Sequence, residues 1–121
     1  MSNKKTLVLG ASSNPARYSC MAIKSLTSRG YDVVGVGLKE EEVSGVHIKK
    51  EQYPFEGVDT ITLYLNPQRQ KDYYDYILDL QPKRVIFNPG TENPELYKLL
   101  RDRGIEVEIA CTLVLLSINQ Y

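Results

Sequence analysis

Short apolar runs alternate along this chain with amphipathic segments of helical length, and few folds accommodate that alternation. Five runs have the apolar, β-branched character of buried strands, and the segments between them carry apolar residues at helical spacing. Strands that are separated by a helix need crossover connections, which make the strands parallel and place helices on the faces of the sheet. The sequence therefore predicts a doubly wound α/β fold with a five-stranded, mainly parallel sheet.

Each predicted element has a signal in the residues that form or bound it. Residues 33–36 and 60–65 are rich in β-branched residues, and the first helix ends at Gly30, as many helices end at a glycine. The charged segment 38–44 is predicted as a loop or a short helical turn, and residues 46–48 as a short extended piece. The other predicted strands are residues 7–9, 85–87 and 105–109, and a last helix is predicted over residues 112–118.

Length and charge restrict the classes of function. The chain has 121 residues, of which 42% are hydrophobic, and this is enough for one domain with one core, which we place at residues 1–121. The 15 basic residues balance the 15 acidic ones, so the overall charge does not favour binding to nucleic acid or to an anionic membrane. Because the apolar runs are too short to span a bilayer and no secretory signal is recognisable, we expect a cytoplasmic protein.

Few residues of this chain could support catalysis or metal binding. Cys20 and Cys111 lack a CxxC spacing and lie among apolar residues, so we expect buried, reduced thiols. His47 is the only histidine, which excludes a histidine-rich metal site, and no carboxylate is spaced so that it would orient His47 as a base. The sequence therefore predicts no catalytic residue and no metal ligand.

The segment 10–17 carries the strongest indication of a ligand. Residues 10–12 (Gly-Ala-Ser) follow a buried strand as a predicted tight turn, and Asn14 and Pro15 are predicted as the N-cap and first residue of a helix. The N–H groups and the dipole at a helix N-terminus favour a phosphate, which Arg17 could reach. The alternatives are a turn without a ligand and an exposed arginine, because the chain has neither a GxGxxG nor a GxxxxGK[ST] motif.

Asn-Pro pairs mark one edge of the predicted sheet. Three of these pairs are predicted helix starts, because proline suits the first turn of a helix. Ligands of doubly wound folds bind outside the carboxyl ends of the strands, so the loops at these ends are predicted to surround one crevice. The pairs are at residues 14–15, 66–67, 88–89 and 93–94, and the loops are residues 10–18, 37–39, 66–69 and 88–93.

The end of the second predicted strand bears on the kind of nucleotide. Residues 37–39 lack the acid that usually binds a ribose diol, and Lys39 suits a phosphorylated ribose, although it could equally be a solvated surface lysine. Glu40 is close enough to keep NAD as an alternative ligand. The polar loop 88–93 offers several hydrogen-bonding groups or, alternatively, only caps the helix that follows it.

The motifs at these strand ends together resemble those of one family, the small single-domain CoA-binding proteins. The fold of that family is Rossmann-like and similar to the CoA-binding domain of the succinyl-CoA synthetase alpha subunit. The resemblance covers nearly the whole chain. The motifs that carry it are residues 10–15 (Gly-Ala-Ser-Ser-Asn-Pro) with Arg17, residues 39–42 (Lys-Glu-Glu-Glu) followed by Gly45, residues 88–93 (Asn-Pro-Gly-Thr-Glu-Asn), and Cys111.

The resemblance implies a module that binds coenzyme A or an acyl-CoA and has no catalytic activity of its own. It implies that residues 10–13 and Arg17 hold the CoA pyrophosphate, that Lys39 lies near the nucleotide end, and that residues 66–67 and 88–93 line the rest of the site. The cofactor-binding residues predicted on this basis are Gly10, Ala11, Ser12, Ser13, Asn14, Arg17, Tyr18, Lys39, Asn66, Pro67, Asn88, Pro89, Gly90, Glu92 and Asn93.

Two other classes of function stay open at this point. One is an NAD(P)-binding or redox-sensing module, and the other is a small enzyme that acts on an acyl-CoA. The family commonly has Asn-Pro where this chain has Gly37-Leu38, and Asp-Arg where it has Ile109-Ala110. A protein partner or a weak homodimer also stays open, because Tyr74 lies off the apolar stripe of its predicted helix.

Overall fold

The computed structural model describes residues 4–121, so the first three residues of the predicted domain lie outside the described part of the chain. All strands described belong to one sheet, and no helix within residues 4–121 is long and apolar enough to cross a membrane. The strands are β1 (Thr6–Ala11), β2 (Val33–Gly37), β3 (Glu41–Val43), β4 (Val46–Lys49), β5 (Thr60–Leu63), β6 (Arg84–Phe87) and β7 (Glu106–Ile109). The helices are α1 (Tyr18–Ser28), α2 (Pro67–Gln70), α3 (Tyr74–Leu80), α4 (Pro94–Asp102) and α5 (Thr112–Ser117), with a 3₁₀ turn at Lys71–Tyr73.

The strand order of the sheet is β3-β4-β2-β1-β5-β6-β7 over residues 4–121. All neighbouring strands are parallel except β3 and β4, which pair antiparallel. The chain runs outward from β1 to one edge and then returns to build the other half from β5, so the strand order reverses beside β1. This is a Rossmann-like arrangement, in which ligands bind outside the carboxyl ends of the strands at that reversal. The predicted α/β fold is confirmed.

Helices cover both faces of the sheet because the side chains of each strand alternate between them. Leu7 and Leu9 of β1 pack on one face, in the same buried cluster as apolar residues of α3 and α4. Val8 points to the opposite face, where α1 and α5 contribute Ile23 and Leu116 to a second buried cluster. Residues 7–9 have no exposed surface, so β1 is buried on both sides, as a central parallel strand should be.

The charged segment 38–44 forms the predicted loop only over residues 38–40. Its last residues form β3, which pairs with β4 as a hairpin and raises the strand number in the described chain above the predicted five. Ser44 and Gly45 form the turn with φ values of 50° and 80°, the left-handed conformations that two-residue hairpin turns require. Val43 and Val46 flank this turn and are buried, so the hairpin is fixed to the sheet by its apolar side chains.

The predicted start of the first helix is also wrong. Helix α1 begins at Tyr18, with Arg17 at the N-cap position in an extended conformation. Asn14 instead forms a local turn, in which its side-chain oxygen accepts from Ala16 N–H at 3.0 Å and its carbonyl accepts from Arg17 N–H at 2.9 Å. Asparagine competes with helix formation through such local hydrogen bonds, and Pro15 is held in the turn rather than in the helix.

The other two predicted helix starts are confirmed. Asn66 caps α2 by accepting from Arg69 N–H at 2.9 Å, and Asn93 caps α4 by accepting from Leu96 N–H at 3.4 Å. A proline at the first helical turn follows each cap, where its missing N–H has no partner to lose. Both caps lie at the carboxyl edge of the sheet. They hold in place the loops that precede α2 and α4, near the point beside β1 where the strand order reverses.

Candidate functional site

A cleft of about 640 Å³ lies at the carboxyl edge of the sheet, where the strand order reverses beside β1. The sequence-predicted site residues that line it are Gly10, Ala11, Ser12, Arg17 and Tyr18 from the β1–α1 segment, Lys39 after β2, Asn66 after β5, and Pro89 and Gly90 after β6. Loops from four parallel strands therefore meet at one site, as the sequence predicts. The other predicted residues, Ser13, Asn14, Pro67, Asn88, Glu92 and Asn93, are not among the lining residues.

Two glycines bring the ends of three neighbouring strands close together beneath the cleft. Gly10 has a φ of +95°, and a Cβ there would lie 3.0 Å from the Tyr64 carbonyl carbon. A Cβ on Gly37 would lie 2.2 Å from the Ala11 carbonyl oxygen, closer than any side chain permits. The register of β1 against β2 shifts at Gly10, so the predicted tight turn at this residue is a bulge within the strand instead. At both positions in this chain a side chain would therefore clash with the backbone of the neighbouring strand.

The N-terminus of α1 opens onto the cleft. No side chain caps this helix in the described part of the chain, in contrast to the asparagine caps of α2 and α4. Its first two residues, Tyr18 and Ser19, both line the cleft. The first N–H groups of a helix have no partner within the helix and carry a partial positive charge, so this end of α1 suits a negatively charged group.

Three basic side chains, from three different parts of the chain, line the same cleft. Arg17, Lys39 and Arg69 all line the cleft and all are exposed. The guanidinium groups of Arg17 and Arg69 make no hydrogen bond or ion pair within residues 4–121. Their charges are therefore available for a ligand, and guanidinium groups bind phosphates in a two-point geometry. Arg69 is a residue that the predicted set omits, although the predicted crevice loop 66–69 includes it.

One carboxylate also lies in the cleft, that of Glu41, which belongs to the motif at residues 39–42 but not to the predicted set of site residues. Glu41, the first residue of β3, accepts a hydrogen bond from the hydroxyl of Ser13 and a longer one, of 3.4 Å, from Ser13 N–H. The ammonium group of Lys39 is 3.9 Å from the same carboxylate. Donation by the Ser13 hydroxyl and N–H, together with the Lys39 charge, lowers the pKa of Glu41 below its ordinary value. The group is therefore an anion at neutral pH.

Asn88 is turned away from the cleft and into the fold. It is 2% exposed, and its amide group donates to the Thr62 hydroxyl at 2.7 Å and to the Leu63 carbonyl at 2.8 Å. Its side-chain oxygen accepts from Thr112 N–H, the first residue of α5, at 2.8 Å. Asn88 thus ties β5 and β6 to α5, and all of these polar atoms are engaged inside the protein.

The rest of the loop after β6 is also held by internal hydrogen bonds. Glu92 accepts from Gly90 N–H at 2.9 Å, and Asn93 donates to the Gln70 side-chain oxygen and to the Tyr74 hydroxyl, each at 2.9 Å. These contacts join the 88–93 loop to the segment after β5. The side of the loop that faces the cleft is formed by Pro89, Gly90 and Thr91.

Aromatic and aliphatic side chains form the apolar part of the cleft wall. Leu65 and Tyr73, which the predicted set does not include, line it from the segment after β5. Tyr64 also lines the cleft, but its hydroxyl is buried and has no hydrogen-bond partner in the described part of the chain. Burial raises the pKa of Tyr64 to about 12. The cleft therefore combines a positively charged end with an apolar surface that a ring or an alkyl chain could contact.

The groups with catalytic potential lie outside the cleft lining. His47 is an exposed residue of β4, and its Nε2 is 2.6 Å from a Glu40 carboxylate oxygen. The expectation that no carboxylate orients His47 is therefore wrong, because the hairpin brings Glu40 beside it. Both cysteines are free thiols, as predicted; Cys20 is a buried residue of α1, whereas Cys111, at the N-cap position of α5, is only partly buried. Within residues 4–121, no three His, Cys, Asp or Glu side chains are grouped so that they could hold a metal ion.

The family profile of the CoA binding domain matches residues 4–117, which is nearly the whole described chain. The chain belongs to this family. A crystal structure of an uncharacterized protein is 52% identical, with a TM-score of 0.96 and complete coverage of both chains. The structure of the cell-free protein ID.343 from Thermus thermophilus is 28% identical, with a TM-score of 0.87, over 98% of this chain and 91% of that one. The uncharacterized protein YneT of Bacillus subtilis (strain 168) is 23% identical over 84% of this chain and 76% of its own length.

Proposed function

We propose that the cleft binds coenzyme A or an acyl-CoA, and that the chain is a binding or regulatory module without catalytic activity. The observation that carries this proposal is the uncapped N-terminus of α1, which opens onto the cleft between Arg17 and the basic side chains of neighbouring loops. A diphosphate suits this position because it accepts hydrogen bonds from helix N–H groups and carries the charge that the helix dipole favours. Membership of the CoA binding domain family supports the same ligand.

The remaining walls of the cleft fit the other parts of such a ligand. Lys39 stands at the end of β2, where Rossmann-like folds bind the ribose, and its ammonium group suits the additional phosphate of the CoA ribose. Arg69 lies on the opposite side of the cleft and can bind a second phosphate oxygen. Tyr73 and Leu65 offer apolar surface for the pantetheine arm. The volume of about 640 Å³ lies in the range of small-molecule sites.

The proposal includes no catalytic step because, among the described residues that line the cleft, there is no cysteine and no histidine. Among the titratable residues that line the cleft, Glu41 is occupied by Ser13 and Lys39. His47 and Cys111 do not line the cleft, so neither is placed to attack a thioester there. An enzyme that acts on the acyl group would need such a pair within hydrogen-bonding distance of the reacting carbon.

Isothermal titration with a panel of ligands tests the proposal. We expect CoA and acetyl-CoA to bind and NAD, NADP and ATP to bind at least tenfold more weakly. Arg17→Ala should weaken CoA binding by about 1.5–3 kcal/mol, the contribution of a charge-assisted hydrogen bond. Arg29→Ala removes the same charge at the other end of α1 and should leave the affinity unchanged, because Arg29 does not line this cleft. Tight binding of NAD without binding of CoA would refute the proposal.

A further inference from the structure

The cleft contains an anion of the protein itself beside the segment that is proposed to receive a phosphate. Ser13 follows the cleft-lining residue Ser12, and both its hydroxyl and its N–H donate to the Glu41 carboxylate. These donors are of the kind that a phosphate oxygen accepts from. In this structure a group of the same charge, the Glu41 carboxylate, already accepts from them.

The hairpin holds the backbone of Glu41 in place from both sides. Glu40, the preceding residue, accepts from Lys50 N–H at 2.7 Å and contacts His47 at 2.6 Å. Val43, two residues later, is buried in the core cluster beneath α1. The β3–β4 pairing joins these anchors, with Glu41 opposite Ile48. Only the side chain of Glu41 is therefore free to move, by rotation about its own bonds.

The charge of Glu41 opposes a bound phosphate. The side chain is 16% exposed, so water screens it only in part, and it ionises readily because Ser13 donates to it. Two like charges a few ångströms apart repel each other strongly in such a partly shielded place. Lys39, at 3.9 Å, can continue to pair with the carboxylate after it leaves Ser13, so displacement does not leave Glu41 without a counter-charge.

We propose that Glu41 competes with the ligand, because its carboxylate occupies the Ser13 donors and must be displaced by a phosphate of the ligand. This proposal rests on the proposed function, because it concerns the same cleft. A ligand that binds must offset the displacement through other contacts. CoA is long enough to do so at Arg17, Arg69 and the apolar wall, whereas pyrophosphate reaches fewer of these contacts and binds more weakly. Glu41 therefore lowers the affinity of every ligand that places a phosphate at Ser13 by a similar factor, and only a ligand with many other contacts still binds tightly.

Charge removal at Glu41 tests this proposal, with Glu42 as the matched control. Glu41→Gln keeps the shape of the side chain and removes the charge, and we expect CoA and pyrophosphate each to bind roughly tenfold tighter by isothermal titration. Glu42 is the next residue of β3, is exposed and does not line the cleft, so Glu42→Gln should change either affinity by less than about twofold. Equal affinities of the Glu41→Gln and Glu42→Gln variants would overturn the proposal.

A second measurement uses the unaltered protein, so its result does not depend on whether the Glu41→Gln variant folds. Nuclear magnetic resonance can follow the ionisation of the Glu41 carboxyl with and without saturating pyrophosphate. We expect the pKa to rise when the phosphate takes the Ser13 donors, and an unchanged value would overturn the proposal. If pyrophosphate binds tighter to Glu41→Gln while CoA binds no form of the protein, Glu41 has the proposed role and the proposed function fails. If CoA binds all forms equally, the proposed function stands and the role of Glu41 is refuted.

Discussion

Replacement of Asn88 by alanine should reduce the stability of the fold without reducing ligand affinity. Asn88 belongs to the set of residues that the sequence assigns to the cofactor, yet its side chain makes three hydrogen bonds inside the protein and is 2% exposed. In the Asn88→Ala variant, Thr112 N–H loses its partner and the Leu63 carbonyl loses one donor, whereas the Thr62 hydroxyl keeps its bond to the Thr112 hydroxyl at 2.8 Å.

The magnitude follows from the two backbone groups that lose a partner. A buried polar group that loses its hydrogen bond costs about 1–3 kcal/mol, so the loss of two should remove about 2–6 kcal/mol from the free energy of unfolding. A domain of this size has about 5–15 kcal/mol in total, so the loss is large enough to shift the midpoint of urea unfolding clearly. Urea unfolding at pH 7, followed by circular dichroism and fitted with one common dependence of the unfolding free energy on urea concentration, measures this loss of stability.

Asn66 provides the matched control, because it is also an asparagine at a strand end and is exposed. It makes one capping bond, from Arg69 N–H, so Asn66→Ala should cost only about 1 kcal/mol. The reasoning is refuted if the two variants lose equal stability. It is also refuted if Asn88→Ala stays folded and binds CoA more than tenfold more weakly than the unaltered protein, since Asn88 would then contact the ligand.

Three further predictions follow from the same contacts. Gly37→Ala should destabilise the fold by about 1–3 kcal/mol in urea, because its Cβ would overlap the carbonyl of the neighbouring strand. Burial raises the pKa of Tyr64 and of Tyr121 to about 12. The stability that each contributes is therefore complete below pH 10 and is lost as the pH rises towards 12, by about 2–3 kcal/mol each. Urea unfolding curves measured across this pH range, together with tyrosine absorbance, test this prediction. Acetyl-CoA incubated with the protein should release free thiol no faster than in buffer alone, and the Cys111→Ser and His47→Ala variants should give the same rate. Saturable thiol release that either substitution abolishes would refute the proposal that the protein is not catalytic.

Periodicity and composition predict most of the fold because they report on burial directly. The apolar runs at residues 7–9 and 85–87 are buried strands, and the crossovers between them make the sheet parallel. Asn66 and Asn93 cap helices as predicted, because capping depends on residues three positions away. The position of the cleft follows from the same local information, since the topology of the sheet decides where the loops meet.

The β3–β4 hairpin was not predicted because its strands contain few apolar residues. In β3 only Val43 is buried, and the glutamates that surround it suggest a solvated loop. A signal was nevertheless present at Ser44-Gly45, because such a pair between short extended segments is typical of a two-residue turn. With the hairpin recognised, the proximity of Glu40 to His47 would follow from antiparallel pairing.

The directions of the polar side chains at the strand ends required the structure. Asn88 finds its partners 24 to 26 positions away in the sequence, and Ser13 meets Glu41 at a separation of 28. Local patterns contain no information on such pairs. The sequence therefore located the edge of the sheet that matters, but it did not distinguish asparagines that stabilise that edge from side chains that face the cleft.

The charges around the cleft reconcile a neutral chain with an anionic ligand. The formal net charge is zero, so no long-range field attracts a phosphorylated molecule. Among the residues that line the cleft, however, Arg17, Lys39 and Arg69 face the single carboxylate of Glu41. If the proposed ligand binds in this cleft, these charges act at short range, where salt screens them less than it screens a long-range field. The Glu41 carboxylate reduces the net positive charge beside Ser13. The proposed ligand gains the full electrostatic attraction of the cleft only if it also reaches Arg17 and Arg69.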